Sequence, residues 1–194
     1  MAAIAAESGV AVQTVYFIFH TKAELLREVI SYAGAGEHDA APVMARSWIV
    51  EAMRADDGRR ILALSMEHGS DIFARVAPLT AALEAAAQSD LEIADHVKAI
   101  DDARHGGFRA LMRAIADKGW LRADLTVERA TDIMFVVHSD ASYRVLVRDC
   151  GWSMEEFKAW QYATLCRQLL ADHGPNAEDG DPTIGLSFHG VNVI

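Results

Sequence analysis

The chain has 194 residues, 52% of them apolar and 24% charged, with a net charge of −10 at neutral pH. Alanine supplies much of the apolar share, the profile of an Ala-rich helical protein long enough to bury a sizeable core. No uncharged apolar run approaches the roughly 18 residues of a membrane span, and the N-terminus lacks the basic-then-apolar order of a signal peptide; a cytoplasmic location without a membrane partner is expected.

Residues 1–8 read as a helix in which Ile4 is apolar, Ala5 small and Glu7 outward. Gly9 ends it, because glycine accepts the positive φ of a sharp stop. In the helix that follows, Val12, Val15 and Phe19 recur at helical spacing and point inward. Gln13, Thr14 and Phe17 then face outward, with Tyr16 at the boundary. Glutamine pairs with adenine, threonine bonds a phosphate or touches a thymine methyl, and tyrosine hydroxyls commonly bond phosphate. A third helix starts at Thr21, a cap completed as a capping box by Glu24, with Leu25, Leu26, Val29 and Ile30 as its buried face. Lys22 lies in its first turn, beside backbone N–H groups suited to a phosphate. Two short helices on a tight turn, backed by a third, form a helix-turn-helix.

The run I-A-A-E-S-G-V-A-V-Q-T-V-Y-F-I-F-H-T-K-A-E-L-L at residues 4–26 resembles the DNA-binding signature of the TetR/AcrR family of bacterial transcriptional regulators. Gly9, Val10, Thr14, Tyr16, Phe19, Lys22 and Leu25 all fall at that family's spacings. The resemblance implies an all-α homodimer, usually a repressor, that binds a near-palindromic operator in double-stranded DNA. Its larger C-terminal domain would bind a small-molecule effector and dimerise. Carried over residue by residue, Gln13, Thr14, Tyr16 and Lys22 are the DNA contacts, and outward-facing Phe17 joins them in the candidate interface.

Three departures qualify that expectation. The family's first helix has no counterpart, so the DNA-binding domain is expected to be truncated, spanning residues 1–33. Ala11 stands where Ser or Thr usually caps the recognition helix, a loss of roughly 1 kcal/mol. Phe17-Ile18 replaces a pair that is often basic. Residues 1–33 also hold only Lys22 and Arg27 against Glu7, Glu24 and Glu28, which argues against tight non-specific DNA binding. The alternative is a dimeric ligand-binding or interaction module that no longer binds DNA.

After Tyr32, Gly34 and Gly36 with Pro42 mark a break, and residues 34–172 are expected to form the helical effector-binding and dimerisation domain. A short helix at 48–53 closes at Asp56-Asp57-Gly58. A long helix with Ile61, Leu64, Ile72 and Phe73 inward should kink or restart at Pro78, before an Ala-rich helix at 80–88. Ser89 or Asp90 caps another long helix that Gly119 stops. Gly106-Gly107 interrupt it at about 1 kcal/mol each against alanine, marking either a close approach to a helix or ligand or a tolerated kink. Helices at about 126–149 and 153–171 follow, the second opened by a capping box at Ser153 and Glu156. Residues 173–194 lack any period and read as a flexible tail.

Catalytic chemistry finds no support. The eight histidines never fall at i, i+4, and there is no nucleophile elbow, phosphate-cradling glycine loop or dinucleotide fingerprint. No enzyme activity, metal or cofactor is expected, and Cys150 and Cys166 read as packed free thiols. Met66, His68, Phe73, Phe108, Met112, Trp120, Met134 and His138 would line an adaptable apolar effector pocket, although such residues at helical spacing also make plain core. By resemblance the last two helices form the dimer face, with Phe135, Tyr143, Phe157 and Trp160 at an isologous interface.

Overall fold

The computed structural model describes residues 1–36 and 43–172, and these are all-helical. Pro42 and the expected tail at 173–194 lie outside the described residues. The order is α1 (Ala2–Ser8), α2 (Val12–Phe19), α3 (Lys22–Ala35), α4 (Ser47–Arg54), α5 (Gly58–Ala87), α6 (Leu91–Asp117), α7 (Val127–Val137), α8 (Asp140–Tyr143) and α9 (Met154–Leu169). A π-helical turn, Arg144–Asp149, continues α8. The lone β-type pairing among the described residues is a bridge between Leu121 and Leu170.

Gly9 ends α1 in the left-handed region at φ 67°, and α2 leaves at 109° to α1. Ala11 provides no side-chain cap for α2, as its sequence implies. Thr21 accepts the Glu24 N–H at 3.1 Å, but the other half of the expected capping box does not form, because the Thr21 N–H bonds the Phe19 carbonyl. The Thr21 hydroxyl instead donates to Glu92 Oε1 on α6 at 3.1 Å.

α3 passes Gly34 and ends at Ala35 with Gly36 at φ 73° as its C-cap, within the break marked by Gly34, Gly36 and Pro42. Its last carbonyls would be orphans at a helix end. Arg75 Nε donates to Ala33 O at 2.9 Å, and Arg46 Nη2 donates to Gly34 O at 3.0 Å. Cations at a C-terminus also suit the helix dipole. The expected boundary between residues 33 and 34 therefore falls inside a helix that is packed on the larger unit. Ala23 and Ile30 of α3 join Leu83 of α5 and Ile93 of α6 in one buried group.

α5 is the axis of the molecule, touching α3, α4, α6, α8 and α9. It runs 30 residues without a break, through Pro78. Pro78 lies on the exposed face, so the helical hydrogen bond that proline removes is lost at the surface rather than in the core. α6 likewise runs unbroken through Gly106 and Gly107. The two glycines differ: Gly106 faces open space, while a Cβ on Gly107 would come within 3.2 Å of Met44 Sδ.

The single helix expected over 126–149 is broken. α7 ends at Val137, and Ser139 caps α8 by accepting the Ser142 N–H at 3.1 Å. Serine hydroxyls that bond nearby backbone compete with helix continuation. The second capping box forms in full: Glu156 N–H reaches Ser153 Oγ at 3.1 Å and Ser153 N–H reaches Glu156 Oε2 at 2.8 Å. The main core gathers Ile61, Leu62, Met66, Leu111, Met112, Ile115, Met134, Leu165 and Leu169 from four long helices.

A built Cβ on Gly69 would lie 2.3 Å from His138 Nε2. Gly69→Ala should therefore destabilise the fold by about 1–3 kcal/mol through overpacking. Gly106→Ala, with nothing near it, should stabilise by about 0.5–1 kcal/mol from helix propensity alone. Urea unfolding of the two variants measures both, and equal effects would remove the close approach at Gly69 as the cause.

Candidate functional site

The outward face of α2 is where the sequence places it. Gln13, Thr14, Tyr16 and Phe17 are exposed, and Lys22 is exposed in the first turn of α3. Val15 is the buried anchor at 4% exposure, with Val12 and Phe19 half-buried. The apolar content of this face is larger than helical spacing alone suggests: Phe17 is 80% and Ile18 58% exposed. Arg27 pairs with Glu28 at 2.8 Å, so its charge is partly neutralised at this end of the molecule. His20, which the sequence did not single out, turns the chain between α2 and α3 at φ 49°.

The eight candidate pocket residues separate. Met66, Met112 and Met134 are fully buried and Phe73 nearly so, packed as core. Phe108 is half-buried beside His138, with ring centroids 5.7 Å apart. Trp120 lies over Gly58 and donates its indole N–H to Asp56 O at 2.7 Å. His68 is a correction: it is exposed and stacks on Trp48 at 5.3 Å, because its position on α5 points away from the core.

His138 is buried and its hydrogen bonding is local. Nδ1 lies 3.3 Å from Gln161 Oε1, which also accepts from Ser70 Oγ at 2.9 Å. Gln161 Nε2 donates to Val137 O at 2.8 Å. The ring meets Phe73 edge-on at 4.6 Å. Burial pushes the imidazole down to about 3, opposed by the Gln161 hydrogen bond and assisted by the Arg104 charge. It is a neutral core histidine, serving the packing of α5, α7 and α9.

On the proposed dimer face, Phe157 is a second correction. It is fully buried within the chain, where Tyr143 meets it edge-on at 5.7 Å and Trp160 stacks on it at 6.3 Å. Phe135 and Trp160 are half-buried and line an open groove of about 530 Å³ with Val136, Val145, Leu146 and Arg104. Val136 is 67% and Val145 53% exposed. The apolar run at 133–137 signalled these outward positions, but its residues read as buried because the break at His138 is invisible in the hydrophobic pattern.

Cys150 is exposed and Cys166 half-buried. Burial raises the Cys166 thiol, the neighbouring Tyr162 hydroxyl bonding it in partial compensation. Among the described residues no group of three or more His, Cys, Asp or Glu is placed to hold a metal, and no single helix is long and apolar enough to cross a membrane. No family model, curated protein or solved structure matches the chain.

A histidine whose folded pKa lies near 3, below its ordinary 6.5, is neutral in the fold and gains a proton only on unfolding near neutral pH. Its contribution is complete above pH 6.5 and is lost as pH falls toward 3. The loss is about 1.4 kcal/mol per pH unit. His96, lowered by burial and by Arg27, adds in the same direction. Urea unfolding at pH 6.5 and pH 5 should show His138→Asn, which keeps a donor toward Gln161, losing about 2 kcal/mol less than the parent; parallel losses would place the titration elsewhere.

Proposed function

We propose that the chain is a ligand-responsive DNA-binding transcriptional regulator of the TetR type, acting as a cytoplasmic repressor on a near-palindromic operator as a homodimer. The observation that carries this reading is the α1–turn–α2 pair. Its bend of 109° lies within the roughly 90–120° of helix-turn-helix pairs. Gln13 and Thr14 stand exposed in the first turn of α2, the part of a recognition helix that meets base edges. Tyr16 and Lys22 stand where phosphates would run beside it. A two-fold dimer through the face containing Phe135 and Trp160 would hold two such heads for successive major grooves, and an effector would act by favouring one head spacing.

A second reading, a dimeric ligand-binding or interaction module without DNA affinity, is favoured by the charge of the head. Lys22 and Arg27 stand against three glutamates in residues 1–33, and Phe17 and Ile18 present apolar surface where a phosphate backbone wants cations.

Fluorescence anisotropy against duplexes from the DNA flanking the gene, at fixed salt, separates the two. The regulator should prefer one near-palindromic site over random duplex by about a thousandfold or more. Gln13→Ala should cost about 1–3 kcal/mol and relax base preference at one position in each half-site. Lys22→Ala should weaken all sequences alike and lower the salt slope by about one per contact. Equal affinity for every duplex would establish the module instead.

A further inference from the structure

The groove over α6, α7, α8 and α9 has features that neither the helix-turn-helix nor core packing uses. We propose that it is a binding site for a small amphipathic monocarboxylate with an aromatic or short aliphatic body. This goes beyond the regulator reading, since such binding does not require the head to read DNA.

The groove's volume of about 530 Å³ lies within the roughly 300–1,000 Å³ of small-molecule sites. Its walls are apolar: Phe135, Val136, Val145, Leu146 and Trp160. Ser139 and Ser142 also reach it, but each hydroxyl is already turned to the Val136 carbonyl at 2.9 Å. Arg104 is the lone ionisable side chain among the groove's lining residues, in a chain of net charge −10.

The guanidinium is held in place. Its central carbon lies 3.9 Å over the Phe135 ring, and Nη2 donates to Asp101 Oδ1 at 3.2 Å. Nη1 is buried with no hydrogen-bond partner. A buried guanidinium nitrogen without an acceptor is costly; the Arg104 side chain is 22% exposed, and a ligand oxygen entering there would remove that cost by displacing the side chains that cover Nη1. Asp101 beside it repels any anion, and a doubly charged head such as a phosphate about twice as strongly as a single carboxylate, which favours the carboxylate of the two. The π-helical turn Arg144–Asp149 supplies Val145 and Leu146 to the wall, and π turns inside helical segments recur at functional sites. Phe135 and Trp160 belong to the proposed dimer face as well, so ligand and second copy meet on one surface.

The test is isothermal titration of the full chain with 4-phenylbutyrate and with its neutral amide, alongside ¹H–¹⁵N spectra of the indole and guanidinium N–H groups. The acid should bind saturably, shifting the Trp160 indole and Arg104 resonances. Arg104→Gln should weaken the acid at least about tenfold and leave the amide within threefold. Val145→Glu, at an exposed position, should abolish acid binding by placing a like charge at the mouth; it decides the matter if Arg104→Gln does not fold. Binding of acid and amide with equal affinity, or acid binding indifferent to both substitutions, would overturn the proposal. So would a dimer, seen by sedimentation, that takes up no acid at about 5 mM, which would assign the groove to the second copy.

Discussion

An imidazole lodged over a glycine governs how three helices meet. Gly69 on α5 leaves the space that His138 fills between Phe73 and Phe108. A polar ring so deeply buried is tolerable only when neutral and hydrogen-bonded. Ser70, Gln161 and the Val137 carbonyl complete that network across α5, α9 and α7. The network also explains where α7 stops. In a continuing helix the Val137 carbonyl would accept from residue 141; here Gln161 takes it. The Val136 carbonyl is taken by the Ser139 and Ser142 hydroxyls. With its last acceptors satisfied by side chains, the helix loses nothing by ending there.

That break makes the groove. Past Ser139 the chain turns into α8 and the π turn, and Arg144 pins this segment to α5 through Glu84 at 3.1 Å while bonding Asp140 at 3.2 Å. Lys158 of α9 lies between Glu67 and Asp71 of α5, at 3.4 and 2.9 Å. α8 and α9 are thus both tied to α5 on its polar edge, which leaves Phe135, Val136 and Trp160 as an apolar recess between them. One straight helix across 126–149 would have presented a ridge instead.

Local signals were legible wherever chemistry acts between near neighbours in the chain. Gly9, Thr21, Asp90 and Ser153 each mark a helix end that the structure shows, because a left-handed glycine or a capping hydroxyl or carboxylate acts over a few residues. The outward set on α2 was legible for the same reason: Val15 fixes the buried side and periodicity gives the rest. What stayed hidden depended on partners distant in sequence. α3 passes Gly34 because Arg46 and Arg75 bond its carbonyls. His68 and His138 look alike in sequence; only the position of Gly69 and Gln161 in space makes one a core residue and the other a surface one. Phe157 reads as a facing aromatic until Tyr143 and Trp160 close over it.

The same geometry constrains how a signal would cross the molecule under the proposed regulator function. α1 packs on α2 and α2 on α3, and α3 is fastened to the larger unit at both ends: by Thr21–Glu92 at one, by Arg46 and Arg75 at the other. α6 carries both Glu92, at the head, and Arg104, at the groove, about 18 Å apart along one helix. A close-packed helix moves as a unit rather than deforming along its length, so a shift at Arg104 reaches Thr21 without an intermediate element. Rigidity alone transmits nothing, however. A ligand changes the head only by the difference in its affinity for two packings of α6. Under the proposed ligand binding Arg104 would supply such a difference, because its guanidinium is fixed to Asp101 on the same helix and to Phe135 on α7. Any packing that slides α6 against α7 would move the nitrogen relative to the apolar wall that would hold a ligand's body, so the two packings would differ in affinity.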